Sequence, residues 1–193
     1  MEQLLNFLHS IYPLSPALRE HLTGIIQLKT TSRKHLLLKA GHICRHIYFI
    51  QKGLVRCYYI KDNAEVCSWF MKEGDVIVSV RSFFSQAESY EWIETLEPCE
   101  LHYISYEELE FIYKQFPEFN YTGRAILQRY YSLSEERLFS MRLQRAAERY
   151  QYLFTHEAEL IQRVPAKDIA SYLGITEETL SRIKSNRVLS SKF

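Results

Sequence analysis

The chain reads as an α+β protein: an N-terminal antiparallel β-roll of jelly-roll type, one long helix, and a C-terminal helix-turn-helix. Three observations predict it. Between about residues 33 and 105, short runs of Leu, Ile, Val, Tyr and Phe are separated by turn signals at Ala40-Gly41, Lys52-Gly53, Asp62-Asn63 and Glu73-Gly74-Asp75. Their spacing is close to the roughly 8–12 residues of antiparallel sandwiches and barrels. From Tyr106 onward the apolar period becomes helical. Finally, residues 164–184 form two short helical patterns around Gly174, with the second pattern followed by basic side chains.

Taken in order, Leu4, Leu5, Phe7, Leu8 and Ile11 mark a first helix, and Ser15-Pro16 caps and starts a second. His46–Ile50 and Leu54–Ile60 flank Lys52-Gly53 and predict a hairpin, and Val66–Met71 pairs back across Asp62-Asn63. Pro117 opens a long helix to about Ser140. On it, Phe119, Ile126 and Leu133 recur at heptad spacing with Gly123 and Tyr130 between them, which predicts a seam packed on a second copy. Leu127, Tyr131, Leu138 and Met141 form a second stripe, suited to covering the chain's own β-domain. A helix over about 142–155 would bury Ala146, Ala147, Tyr150 and Phe154, and His156–Val164 reads as a short linker. The partition is thus a β-roll sensor over 1–115, a dimerisation helix over 116–140 and a DNA-binding domain over 141–193.

Composition narrows the function classes. The net charge of +1 gives no global field toward nucleic acid, but residues 1–115 carry a balance of −2 and residues 116–193 a balance of +3. No basic-then-apolar leader pattern and no membrane-length apolar run occur, so a cytoplasmic protein without a membrane partner is expected. The cysteines at 44, 57, 67 and 99 form no Cys-x-x-Cys pair, which argues against disulfides and iron–sulfur clusters. His42, Cys44 and His46 alternate and on a strand would share a face, yet a structural role outweighs a metal site there, and no metal is expected. A metal-dependent enzyme on the same roll would need converging histidines. His42, His46 and His102 are its only candidates, with no His-x-His and downstream Glu, so the chain is not expected to be an enzyme.

The helix pair carries the clearest chemistry. Pro165 suits a first helical position, Ile169, Ala170 and Leu173 form a buried face, and Gly174 supplies a positive φ for the turn. Thr176 caps the second helix, and Glu177 and Glu178 occupy its first turn, where the dipole favours acid. Thr179, Ser181 and Arg182 then point toward a groove, and Lys184, Arg187 and Lys192 extend a basic end able to meet phosphates.

The order β-roll, long helix, helix-turn-helix resembles the cyclic-AMP receptor protein/Fnr superfamily of bacterial transcription regulators over nearly the whole chain. Its carriers are Ala40-Gly41, Ile47–Ile50, Lys52–Arg56, Glu65 to Asp75 and Cys99 to Tyr106 in the first half. In the second half they are Ala147–Tyr150, Ile169–Thr176 and Leu180–Arg182. The resemblance implies a cyclic-nucleotide-binding-like roll and a homodimer that places paired recognition helices on a two-fold double-stranded DNA operator. It allows RNA polymerase and a small-molecule effector as further partners. It also implies roles: Glu178, Thr179 and Arg182 toward bases, with Glu178 accepting from cytosine and Arg182 donating to guanine. Lys167, Thr176, Lys184 and Arg187 would face the backbone, with Glu177 and Ser181 beside them.

The chain departs from the family at the ligand site. Where cyclic-nucleotide binders carry Gly-Glu, this chain has Val78-Ser79, and their Arg-Ser or Arg-Thr falls near Ser89-Tyr90. No glycine occurs between Gly74 and Gly123 to make the tight phosphate turn. This argues against cyclic AMP, and no cofactor is expected. If an effector exists, Val78, Ser79, Arg81, Phe83, Phe84, Ser89, Tyr90 and Trp92 are its candidate walls, with core packing as the competing role for the aromatics. The recognition helix opens Glu177-Glu178 instead of Arg-Glu, and the tail after Arg182 is short for a two-stranded wing. The resulting expectation is a dimeric transcription regulator with an effector other than cyclic AMP or none. The alternatives are a degenerate roll acting through a protein partner and, more remotely, a cupin-type metalloenzyme.

Overall fold

The computed structural model describes residues 1–190, with side chains to residue 185, so Lys192 and the side chain of Arg187 lie outside the described residues. Two helices open the chain, α1 (Glu2–Ile11) and α2 (Pro16–Ile25). Ser15 caps α2 by accepting from the Leu18 N–H at 3.2 Å, with Pro16 at the first position, as expected.

Eight strands follow: β1 (Gln27–Thr31), β2 (Leu36–Leu38), β3 (His46–Lys52), β4 (Val55–Lys61), β5 (Ala64–Met71), β6 (Val76–Ile77), β7 (Trp92–Thr95) and β8 (Cys99–Ser105). They form two four-stranded sheets, ordered β1-β8-β3-β6 and β2-β7-β4-β5. This corrects one expected pairing. β3 and β4 do not form a hairpin across Lys52-Gly53; β3 pairs with β8 and β6, and β4 enters the other sheet. Gly53 permits the crossing. Its φ is +103°, and a Cβ there would lie 2.7 Å from the Pro98 carbonyl. The turn expected at Asp62-Asn63 is present, with both residues at positive φ (50° and 60°), the conformation that two-residue hairpins require.

Between β6 and β7 lies the short helix α3 (Val80–Ser85). Ile50, Leu54, Phe83, Ile93 and Leu101 are completely buried and mark the core of the roll. A buried ion pair, Arg56–Glu94 at 2.7 Å, joins β4 to β7.

Helices α4 (Tyr106–Gln115), α5 (Phe119–Leu143), α6 (Ala146–His156), α7 (Ala158–Arg163), α8 (Ala166–Tyr172) and α9 (Glu177–Ser190) complete the described chain. A capping box at Ser105 and Glu108 starts α4. The expected linker over 156–164 is instead largely helical, because Leu160 and Val164 are buried. On α6 the buried residues are Tyr150 and Leu153; Phe154 is 39% exposed and Ala147 is exposed.

The stripe of α5 predicted as a dimer seam makes its contacts largely within the chain. Phe119 is buried against Tyr113 with ring centroids 5.8 Å apart, and a Cβ on Gly123 would come within 2.7 Å of the Tyr113 ring. Tyr130 Oη accepts from the Val76 N–H at 2.8 Å. These three therefore pack within the chain, and Ile126 and Leu133 are half-buried. Leu127, Tyr131, Leu138 and Met141 are 43%, 68%, 47% and 38% exposed.

The chain divides into two compact units, Met1–Cys57 with Phe70–Tyr130, and Tyr58–Trp69 with the residues from Tyr131 onward. The division falls inside α5, not at the 115 and 140 boundaries read from the sequence, and the tip of the β4–β5 hairpin groups with the C-terminal helices.

Candidate nucleic-acid interface and sensor site

The turn between α8 and α9 is built from its own backbone. Ile175 N–H donates to Ala170 C=O and Gly174 N–H to Ser171 C=O, both at 3.0 Å, with Gly174 at φ +66°. These are the two hydrogen bonds of a Schellman cap, so the glycine ends α8 without leaving its last carbonyls unpaired. Thr176 Oγ1 accepts from the Thr179 N–H at 3.2 Å and starts α9. Leu173 and Leu180, each 1% exposed, close the two helices on each other with Ile169 and Ala170.

Two arginines hold the end of α8. Arg149 donates from Nε and Nη2 to the Leu173 carbonyl at 3.0 and 2.8 Å, and from Nη1 to the Gln144 carbonyl at 2.5 Å. Arg137 donates to the Tyr172 carbonyl and lies 3.6 Å from the centre of the Tyr172 ring. Positive charge at a helix C-terminus opposes the dipole's negative end. Burial lowers the Arg137 pKa and raises that of Tyr172, so the cation–π contact operates in a poorly hydrated setting. A third support comes from the β4–β5 hairpin: Ser171 Oγ accepts from Cys67 N–H at 2.9 Å and donates to Glu65 C=O at 3.0 Å.

Of the residues predicted to meet DNA, Glu177, Glu178, Ser181 and Arg182 share an exposed part of α9. Glu178 and Arg182 are paired at 2.6 Å while each stays about three-quarters exposed. Thr176 is exposed, whereas Thr179 is half-buried and its hydroxyl is 3.0 Å from that of the capping Thr176. Lys167 lies on α8, 3.7 Å from Glu65, and Lys184 is half-buried. Sequence reasoning missed Ser171, Arg137 and Glu65 as supports, because their partners are remote in the chain.

The sensor residues separate into two environments. Ser79 and Ser89, which stand where the resemblance expects ribose- and phosphate-binding groups, are buried with their hydroxyl oxygens 3.1 Å apart. Ser79 Oγ donates to a Glu91 carboxylate oxygen at 2.7 Å, and Ser89 Oγ bonds the Glu91 backbone on both sides. Burial raises the Glu91 pKa, and the Ser79 hydrogen bond opposes that rise. Glu91 was not among the predicted residues. Phe83 is core, Phe84 packs edge-on against it at 5.2 Å, and Val78 and Trp92 are half-buried. Tyr90 is 70% exposed beneath Arg81, 4.3 Å from its ring centre. The eight residues therefore divide between the buried core of the roll and its surface.

His42, Cys44 and His46 share no strand face: β3 begins only at His46, His42 is exposed, and Cys44 is buried with its thiol toward the His46 carbonyl. Among the described residues no group of three or more His, Cys, Asp or Glu is placed to hold a metal ion, and no helix is long and apolar enough to cross a membrane.

Comparison with known proteins agrees with this architecture. Residues 28–116 match the model of the cyclic nucleotide-binding domain family. Among solved structures, the c-di-GMP-responsive global regulator CLP of Xanthomonas campestris aligns with a TM-score of 0.72 at 16% identity, over 92% of this chain and 93% of CLP. FixK2 from Bradyrhizobium japonicum aligns at 0.71 and 18% identity, over 86% of each chain. A Eubacterium rectale protein assigned to the crp/fnr family of transcriptional regulators aligns at 0.73 and 16%, over 94% of this chain and 88% of that one. No curated protein sequence matches the chain. Residues 28–116 thus resemble the cyclic nucleotide-binding domain family, and the chain that carries them has the fold seen in CLP, FixK2 and the Eubacterium rectale protein.

Proposed function

We propose that this protein is a DNA-binding transcription regulator that acts as a homodimer, with an effector other than cyclic AMP or none. The observation that carries the reading is the Gly174-centred helix pair, with Leu173 and Leu180 closed on each other and Glu178, Ser181 and Arg182 left outside. A buried joint with a polar outer face on the second helix is what insertion into a major groove requires. The Glu178–Arg182 pair is exposed, so it contributes little to stability and releases Arg182 toward a guanine edge at small cost. Lys167 and Lys184 supply phosphate contacts, with Arg187 beyond the described side chains.

The exposed heptad stripe Leu127, Tyr131, Leu138 and Met141 supports a parallel self-association of α5, in place of the Phe119 seam. The Ser79–Ser89–Glu91 cluster supports an effector other than cyclic AMP. Its hydroxyls are already engaged by the Glu91 carboxylate and backbone, and a carboxylate there opposes a phosphate diester.

Selection of bound sequences from a random double-stranded DNA pool at stated salt tests the reading. The expected result is a two-fold site whose half-sites are one helical turn apart. Arg182→Ala should then lose about 1–3 kcal/mol of binding at one base position per half-site. Failure to enrich any sequence, with the protein folded and dimeric, would favour a roll that acts through a protein partner.

A further inference from the structure

The first compact unit contains a pocket of about 630 Å³ that none of the predicted effector residues lines. Its volume lies within the range of small-molecule sites. Its apolar wall is Leu36, Leu37 and Leu38 of β2 with Ile43 and Tyr48. The polar groups around it are not balanced. Lys39 and Arg45 bring two fixed positive charges against one carboxylate, Glu88. Burial, reinforced by Lys29, lowers the pKa of His46, which therefore adds a neutral imidazole to the lining. Among the described residues neither Lys39 nor Arg45 has an ion-pair partner, although both line a concave surface.

The pocket wall is tied to the buried serine cluster. Gly41 N–H donates to Ser89 C=O at 2.8 Å, Ser89 N–H donates to His42 C=O at 2.9 Å, and Ile43 bridges to Glu88. Cys44 N–H donates to Ser82 Oγ of α3 at 2.8 Å. A molecule seated against Ile43 and Cys44 therefore bears on the backbone that positions Ser89 and Ser82.

We infer that this pocket binds a small monocarboxylate with an apolar body, its chain against Leu36–Leu38 and its carboxylate toward Lys39 and Arg45. An apolar wall selects for hydrocarbon, and two unpaired cations against one acid select for a single negative charge. The inference concerns the first unit alone and stands whether or not the chain reads DNA.

Titration calorimetry on the full chain with octanoate, 1-octanol and octylammonium provides the test. Octanoate should bind one-to-one and at least about tenfold more tightly than 1-octanol or octylammonium, the factor expected from about 1.4 kcal/mol of charge selectivity. Lys39, Arg45 and Glu88 are all exposed, so their variants keep the fold. The double variant K39A/R45A should bind octanoate at least about tenfold more weakly, and E88Q should bind it more tightly. Opposite effects on the two sides of the pocket cannot arise from a general loss of structure. Absence of octanoate binding at millimolar concentration, equal binding of the alcohol or the amine, or an unchanged K39A/R45A would each overturn the inference.

Discussion

The Ser171 hydroxyl completes the edge of a hairpin that lies about a hundred residues away in the chain: it accepts from Cys67 N–H at 2.9 Å and passes its own proton to Glu65 C=O at 3.0 Å. One side chain thus bonds a backbone donor and a backbone acceptor of the same strand, β5. It does so from the helix that carries the recognition turn.

Ser171→Ala removes both bonds without filling the space. Losing two hydrogen bonds should cost about 1–3 kcal/mol. The effect should appear first as faster hydrogen exchange at the Cys67 amide, with amides of β3 and β8 unchanged. Uniform acceleration across both units would contradict the local role.

The two stripes of α5 predict opposite phenotypes. Leu138→Glu places a charge on an exposed apolar stripe, and should leave the melting temperature of the protomer nearly intact while weakening self-association by roughly 2 kcal/mol or more. Phe119→Ala empties a buried site and should cost about 3–5 kcal/mol of stability. Light scattering across a dilution series, paired with thermal melts, separates the two. A dimer that survives Leu138→Glu would return the interface to another face.

The Glu91 carboxyl gives the roll a pH dependence of known sign. Its folded pKa lies above the ordinary carboxylate value of 4.5, so folding favours the protonated form. The stability linked to it is complete below 4.5 and declines as pH rises through the raised value. Glu91→Gln keeps an acceptor for Ser79 but cannot ionise. The advantage of the variant over wild type should therefore grow as pH is raised from 4 to 7. Parallel stability curves would show that Glu91 is hydrated after all.

Gly53→Ala tests the crossing between sheets. Positive φ alone costs an alanine about 1–2 kcal/mol, and a Cβ would sit 2.5 Å from the Cys99 sulfur and 2.7 Å from a backbone carbonyl. A fall in melting temperature is expected, larger than the conformational term alone explains. A neutral substitution would mean that β8 moves freely away from the turn.

Local signals in the sequence were accurate where the answer is local. Ser15-Pro16, Asp62-Asn63 and Gly174 each act through their own backbone geometry, and each does in the structure what its residue type implies. Pairing partners were less legible. His46–Ile50 and Leu54–Ile60 look like one hairpin, because nothing near Lys52-Gly53 reveals that Pro98 and Cys99 press on the turn. Heptad spacing marks both stripes of α5 equally well, and only the distant Tyr113 ring and Val76 amide decide which one turns inward. At the sensor end, departures at Ser79 and Ser89 were visible as missing family residues. Their joint engagement by Glu91 depends on a loop fold that no short pattern encodes.

The membership of Tyr58–Trp69 in the C-terminal unit has a consequence for recombination. A crossover placed within α5, the obvious seam for exchanging reading heads between relatives, would transfer Ser171 and Lys167 while leaving Glu65 and Cys67 behind. Such a chimera would present its new helix pair to a foreign hairpin tip. An exchange that keeps these contacts has to move two non-adjacent stretches together, so the proposed reading head is an interrupted module.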